Sequence, residues 1–202
     1  VEATGTNRLQ SFDSDGFTLG DHNQINGGST NYTSWNWKAG TTSGLSGGTI
    51  TPSAYSINTT SGFGIYKYAG NSTSGATISH GLGAVPSVVL VKAINYGESW
   101  TMYHKGLSSD PQTDMIKLNE NSAFIDNSVF WNDTAPTSSV FSLGNDGKVN
   151  GNYNYIAYVY VEKKGYSKFG NYRGNGNADG TFVYTGFKPA WIIGQSEVDQ
   201  HK

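Results

Sequence analysis

The stretch that decides the fold is Tyr153-Asn154-Tyr155-Ile156-Ala157-Tyr158-Val159-Tyr160-Val161. Read with a period of two, it places Tyr155, Ala157, Val159 and Val161 on one face of a strand and Ile156, Tyr158 and Tyr160 on the other. Both faces are apolar or aromatic, so this strand is expected in the middle of a sheet, covered on both sides. Upstream, Val140-Phe141-Ser142-Leu143 reads as a short strand that runs into the turn Gly144-Asn145-Asp146-Gly147. Pro86 opens Val88-Val89-Leu90-Val91, a near-continuous apolar run that predicts a second central strand. Gly62 to Tyr68, with Phe63 and Ile65 on one face, Ser99 to Tyr103, and Met115 to Leu118 complete the set of strands. No window of a dozen residues carries a helical period, and the Gly/Thr/Ser-rich stretch from Lys38 to Thr60 reads as a linker or long loop. The expected fold class is all-β, an antiparallel β-sandwich.

Composition points the same way. Gly, Ser, Thr and Asn supply 88 of the 202 residues, far more than the helix-favouring types. The 27 aromatics and a net charge of only -2 favour an ordered, turn-rich β protein over a disordered chain. Such a charge balance offers no electrostatic footprint for nucleic acid or an anionic membrane, so neither is expected as a partner. There is no cysteine, which excludes disulfides, thiolate metal sites and a cysteine nucleophile. The longest apolar run, Val85 to Ile94, is too short to span a bilayer, and no membrane insertion is expected.

Internal repetition is the most informative feature. Phe17-Thr-Leu-Gly20 recurs as Phe141-Ser-Leu-Gly144, followed in each case by Asn-Gly (Asn26-Gly27 and Asn150-Gly151). An aromatic alternation comes next, with Tyr32, Trp35 and Trp37 matching Tyr155, Tyr158 and Tyr160. A second pair sets Tyr68-Ala-Gly70-Asn71 against Tyr172-Arg-Gly174-Asn175. Both members of that pair proceed through Ile78 or Phe182 to a proline that opens an apolar strand, Pro86 or Pro189. The expected organisation is the back half of a β repeat plus the linker over 1–61, a complete sandwich repeat over 62–164, and the front half of a following repeat over 165–202. Half repeats leave open strand edges, so the two ends are expected to pack on each other, on the middle domain or on a neighbouring subunit.

Four segments carry a resemblance. They are Arg8 to Gly20, Trp35 to Gly40, Ser79-His-Gly-Leu-Gly-Ala-Val-Pro86, and Trp131 to Gly144. All are similar to repeat segments of marine-phage tail-fibre-like virion structural proteins, which occur beside laminin-G-like or SPRY-like β-sandwich domains. Gly165 to Gly170 and Tyr184 to Trp191 resemble the next such segment. The resemblance implies a virion location, a structural role and no catalytic residues.

Candidate sites are few. Gly44-Leu-Ser46-Gly-Gly48 has the spacing of a nucleophile elbow but sits in the linker, without the helix that chemistry needs. His22, His80, His104 and His201 show no metal-ligand spacing, and His80 is expected to be a turn residue bonded to backbone. Asn175 to Gly180 mimics the first half of a calcium loop but lacks the closing carboxylate, and Asp13-Ser-Asp15-Gly16 reads as an Asx turn. No metal or cofactor is therefore expected. Aromatic side chains stack on sugar faces as readily as on each other, which makes Trp35, Trp37, Tyr96, Trp100, Tyr103 and Trp131 the candidates for glycan or subunit contact. The expectation is a non-enzymatic virion structural protein, a tail-fibre or surface-appendage subunit in a homo-oligomer or bound to other virion proteins. The alternative is a carbohydrate-binding module for host or environmental glycans.

Overall fold

The computed structural model describes residues 5–38 and 40–198, and the chain divides into two compact units between Trp37 and Lys38. In the first unit β1 (Leu9–Phe12) pairs antiparallel with β2 (Phe17–Leu19), with Phe12 opposite Phe17. Asp13 closes the hairpin. Its backbone N–H donates to Gly16 O at 2.9 Å, and its carboxylate accepts the Ser11 and Thr18 hydroxyls at 2.8 Å each. These bonds hold the Asp13 carboxyl below its ordinary pKa. A single helical turn, α1 (Asn23–Asn26), follows, capped by His22 Nδ1, which accepts the Gln24 N–H at 3.2 Å.

The second unit is an antiparallel sandwich. Its strands are β3 (Ala54–Asn58), β4 (Phe63–Ala69), β5 (Ala76–Ser79), β6 (Val88–Ala93), β7 (Thr101–His104), β8 (Asp114–Lys117), β9 (Ile125–Asp126), β10 (Val140–Leu143) and β11 (Asn154–Tyr160). Seven of them form one sheet in the order β3-β4-β11-β6-β7-β8-β9, while β5 and β10 pair in a second. The strand that decides the fold, β11, lies between β4 and β6. Val159 stands opposite Gly64 on one side and Val89 on the other. Val89 and Val159 are both buried, as their apolar setting requires.

Between the layers the large sheet contributes Tyr66, Tyr68, Val91, Met115, Tyr155 and Ala157, and the small sheet contributes Ile78, Phe141 and Leu143. This all-β, antiparallel architecture is the expected fold class. One expectation is corrected. The stretch Lys38 to Thr60 is not a bare linker. It supplies β3 at the sheet edge, Ile57 is buried, Thr41 bridges to Ile57, and Gly48 and Ile50 bridge to Ile78. The large sheet thus begins at Ala54, before the boundary expected at residue 62. An edge strand buries little of its side chains, so Ala54-Tyr-Ser-Ile-Asn58 lacks the apolar density that marks a central strand.

Candidate functional site

The polar chemistry of the sandwich interior goes into holding loops. Three tyrosines on the inner face of the large sheet reach across to backbone carbonyls. Tyr66 donates its hydroxyl to His80 O, Tyr68 to Val149 O at 2.6 Å, and Tyr155 to Gly147 O at 2.6 Å. Burial raises the pKa of all three well above the ordinary phenol value, so each remains a neutral donor. Tyr68 and Tyr155 also stack, with centroids 5.1 Å apart.

His80 is fully buried. Its Nε2 lies 3.1 Å from Thr137 O, and its Nδ1 accepts the Leu82 N–H at 3.2 Å. Those two bonds define a neutral ring protonated at Nε2, and burial lowers its pKa. This is the backbone-bonding turn residue expected from the sequence. Asn150, also fully buried, donates Nδ2 to Gly144 O at 2.8 Å, Thr73 O at 2.9 Å and Asn71 Oδ1 at 3.2 Å, while its Oδ1 accepts the Asn71 N–H at 2.9 Å. It ties the loop after β4 to the loop after β10.

The opposite face of the large sheet carries a band of rings. Trp100 lies 6.0 Å from Tyr158, Tyr158 lies 6.4 Å from Phe63, and Phe63 lies 5.0 Å from Tyr160. Phe169 from the following segment closes over Tyr160 at 5.9 Å and His104 at 6.5 Å. Burial pushes the Tyr160 hydroxyl up to about 12, with Tyr158 adding to the shift. Glu162 anchors the same segment. It accepts Lys105 Nζ at 2.6 Å, Lys168 Nζ at 2.8 Å and the Phe169 N–H at 3.3 Å. Burial alone would raise the Glu162 pKa, but the two lysines and the backbone donor outweigh it and bring the carboxyl to about 2.

The six aromatic candidates separate. Trp131 and Tyr103 are buried, pack edge to face with centroids 6.2 Å apart, and Trp131 donates its indole N–H to Asp114 O at 2.8 Å. They are core residues. Tyr103 stands opposite Val89, and this register turns it toward the small sheet. Trp100 is half-buried in the outer band. Tyr96 is 41% exposed and stacks on Tyr153, with centroids 4.1 Å apart and planes inclined by 2°. Trp35 is exposed and Trp37 half-buried in the first unit.

Sequence reasoning missed Tyr66 and Glu162, and it picked out Tyr68 and Asn150 as repeat anchors without their role in bracing loops. Beside Lys67, Gly151 or Lys163 each of them reads equally well as a surface residue, so the local sequence holds no signal that distinguishes them. The Ser46 segment has left-handed glycines at 44, 47 and 48 and is followed by a bridge to the small sheet. Asn175 to Gly180 folds as two successive Asx turns, with Asn177 N–H on Asn175 Oδ1 at 3.0 Å and Asp179 N–H on Asn177 Oδ1 at 3.3 Å. Among the described residues no cluster of three or more His, Asp or Glu side chains is placed to hold a metal ion, and no helix is long and apolar enough to cross a membrane. His201 lies outside the described residues.

A family model matches residues 1–201. The chain belongs to the family described as a domain of unknown function, DUF7483. No curated protein and no solved structure matches it.

Proposed function

We propose that this DUF7483 chain is a non-enzymatic virion structural protein, a subunit of a tail fibre or other surface appendage. The observation that carries the reading is the use made of its polar and aromatic groups. Tyr66, Tyr68, His80, Asn150 and Trp131 all bond to backbone inside the sandwich and brace loops rather than converge on a cleft. Braced loops on a β-sandwich suit a load-bearing module. The likeness of Arg8 to Gly20 and Trp131 to Gly144 to virion repeat segments supplies the setting. The test is proteomics and immunogold labelling of purified particles from an infected culture whose phage encodes the chain. The protein is expected in the particles, at an appendage. Its abundance in infected cells together with its absence from purified particles would refute the reading.

A carbohydrate-binding role is the second reading, favoured by one observation. The Tyr96 ring is exposed and held flat against Tyr153, which makes a rigid ledge of the kind that stacks on a sugar face. Saturable fluorescence quenching by a polysaccharide, abolished in Tyr96→Ala, would support it. A glycan array without signal would remove it.

A further inference from the structure

Residues 7–32 repeat five hydrogen bonds of a frame found in the sandwich at 129–155. Gly144 N–H donates to Phe130 O at 2.7 Å, and Gly20 N–H donates to Arg8 O at 2.6 Å. Asp146 N–H on Val129 O at 3.0 Å has its counterpart in His22 N–H on Asn7 O at 3.2 Å. Asn150 N–H reaches Asp146 O at 2.8 Å, and Asn26 N–H reaches His22 O at 2.9 Å. The Asn150 side chain donates to Gly144 O at 2.8 Å and the Asn26 side chain to Gly20 O at 2.9 Å. The Tyr155 hydroxyl donates to Gly147 O and the Tyr32 hydroxyl to Asn23 O, both at 2.6 Å. A Cβ on Gly144 would lie 2.0 Å from Val129 O, and one on Gly20 would lie 2.2 Å from Asn7 O, so both frames demand glycine at the same crossing.

The C-terminal segment repeats one turn of the complementary half, without its strands. Thr73 N–H donates to Asn71 Oδ1 at 2.9 Å, and Asn177 N–H donates to Asn175 Oδ1 at 3.0 Å. The residue after each asparagine is left-handed, Ser72 at φ 56° and Gly176 at φ 65°.

In the sandwich these two frames are parts of one domain. β5 pairs with β10 so that Phe141 stands opposite Ile78, Tyr155 stands opposite Tyr68, and Asn150 bonds Asn71. The counterparts are Phe17 with Phe182, Tyr32 with Tyr172, and Asn26 with Asn175. Burial is what differs. Ile78 and Tyr68 are 0% exposed and Val89 is 1% exposed, whereas Phe182 is 85%, Tyr172 63% and Ile192 77% exposed. The same apolar pattern, following the same turn but not yet paired into strands, is thus open to solvent, and exposed apolar surface of that kind marks an interaction site.

We infer that residues 172–193 of one copy of the chain dock on residues 7–32 of a second copy, with Phe182 opposite Phe17 and Tyr172 opposite Tyr32, to build a shared second core. Every copy carries both halves, so each half meets its mate at equal concentration, and a net charge of -2 opposes the encounter only weakly. The segment is tied to its own sandwich at both ends. Asn171 Nδ2 donates to Gly106 O at 2.9 Å and Gln195 Nε2 donates to Lys117 O at 2.8 Å, which leaves the stretch between them presented outward. Reciprocal docking closes a dimer, and one-way docking propagates a filament. Covering Phe17, Tyr172, Phe182 and Ile192 removes on the order of 500 Å² of ring and aliphatic surface per contact, so a reciprocal pair approaches the size of a specific interface. The inference does not rest on the virion reading, because particle proteomics and self-association are measured separately.

The absence of cysteine makes disulfide trapping a clean test. A chain carrying Phe17→Cys is mixed with a chain carrying Phe182→Cys and oxidised, and the mixed covalent dimer is expected as the main product. Pairing Phe17→Cys with Thr181→Cys, one residue out of register and on the other face, is expected to yield at least tenfold less. No dimer from the first mixture, equal yields from both mixtures, or, in a single chain carrying both Phe17→Cys and Phe182→Cys, a link formed only within that chain would each overturn the inference. Gly174→Ala provides a second measurement. A Cβ there meets nothing within 4 Å in the free chain, while the corresponding Cβ on Gly70 would lie 2.1 Å from Gly151 O across the two frames. Gly174→Ala is therefore expected to leave the melting of the sandwich unchanged and to weaken association, measured by sedimentation, at least tenfold. A parent chain that stays monomeric at high micromolar concentration, or a variant that associates as the parent does, would overturn the docking.

Discussion

Replacing Val159 with aspartate tests the central claim of the fold. Val159 is fully buried on β11, between Gly64 and Val89 on its two neighbouring strands, and faces the small sheet. Losing the valine removes about 1.5–3 kcal/mol of apolar burial. A carboxylate in that position gains no cation, so it protonates. Holding a group of ordinary pKa near 3.9 neutral at pH 7 costs about 4 kcal/mol. The stranded carboxyl adds about 1–3 kcal/mol of unsatisfied polar burial. The sum, roughly 7–10 kcal/mol, matches the whole stability of many domains. The sign of the pH dependence follows. The folded-state pKa of the new carboxyl is raised, so the folded state binds the extra proton and the penalty shrinks as pH falls toward about 4. Chemical denaturation followed by tryptophan fluorescence at pH 7 and pH 4.5 is the assay. We expect Val159→Asp to be unfolded at pH 7 and partly rescued at pH 4.5, while Val159→Thr stays folded and loses about 1–3 kcal/mol. A Val159→Asp chain that melts within a few degrees of the parent at pH 7 would refute the placement of β11 between two layers.

Three further predictions follow from named contacts. Glu162 is held at about 2 in the folded chain, so the stability it lends to the Lys163–Phe169 segment is present above about pH 4.5 and is lost as pH falls toward 2. Hydrogen exchange of the Phe169 amide, which Glu162 accepts, should accelerate across that window relative to a neighbouring sheet amide, and Glu162→Gln should abolish the dependence. Gly70→Ala would put a Cβ 2.1 Å from Gly151 O and is expected to cost about 2 kcal/mol or more, lowering the melting temperature by several degrees. An unchanged melting temperature would mean that the β4 and β10 loops do not cross at that point. Treatment with a chelator is expected to leave the melting curve unchanged, since the Asn175 and Asp13 turns satisfy their oxygens internally. A drop of several degrees would direct attention first to Asp179 and Asp15.

Where both faces of a strand are apolar, the residue pattern alone was enough to read it. Tyr153 to Val161, Val88 to Val91 and Gly62 to Tyr68 became β11, β6 and β4, three adjacent strands at the heart of the sheet. An apolar run this short, bounded by turn residues and rich in β-branched and aromatic side chains, reads as a strand covered on both faces. Asn175 to Gly180 was likewise legible as a turn, because Asx side chains act over two or three residues.

What required the tertiary structure was everything set by partners distant in the chain. β3 was hidden in a Gly/Thr/Ser run because an edge strand is held by backbone pairing with β4, which any side chain permits. The fate of the aromatics was decided the same way. Trp131 and Tyr103 entered the core while Tyr96 and Trp100 remained near the surface. The register of β6 against β7 and the bond from Trp131 to Asp114 O select between those outcomes, and neither is written within any short window. The recurrence of Phe-x-Leu-Gly and Asn-Gly could be read along the chain. That one copy of each half is closed over Ile78 and the other leaves Phe182 open could not, since burial belongs to what packs above a residue and not to the residue itself.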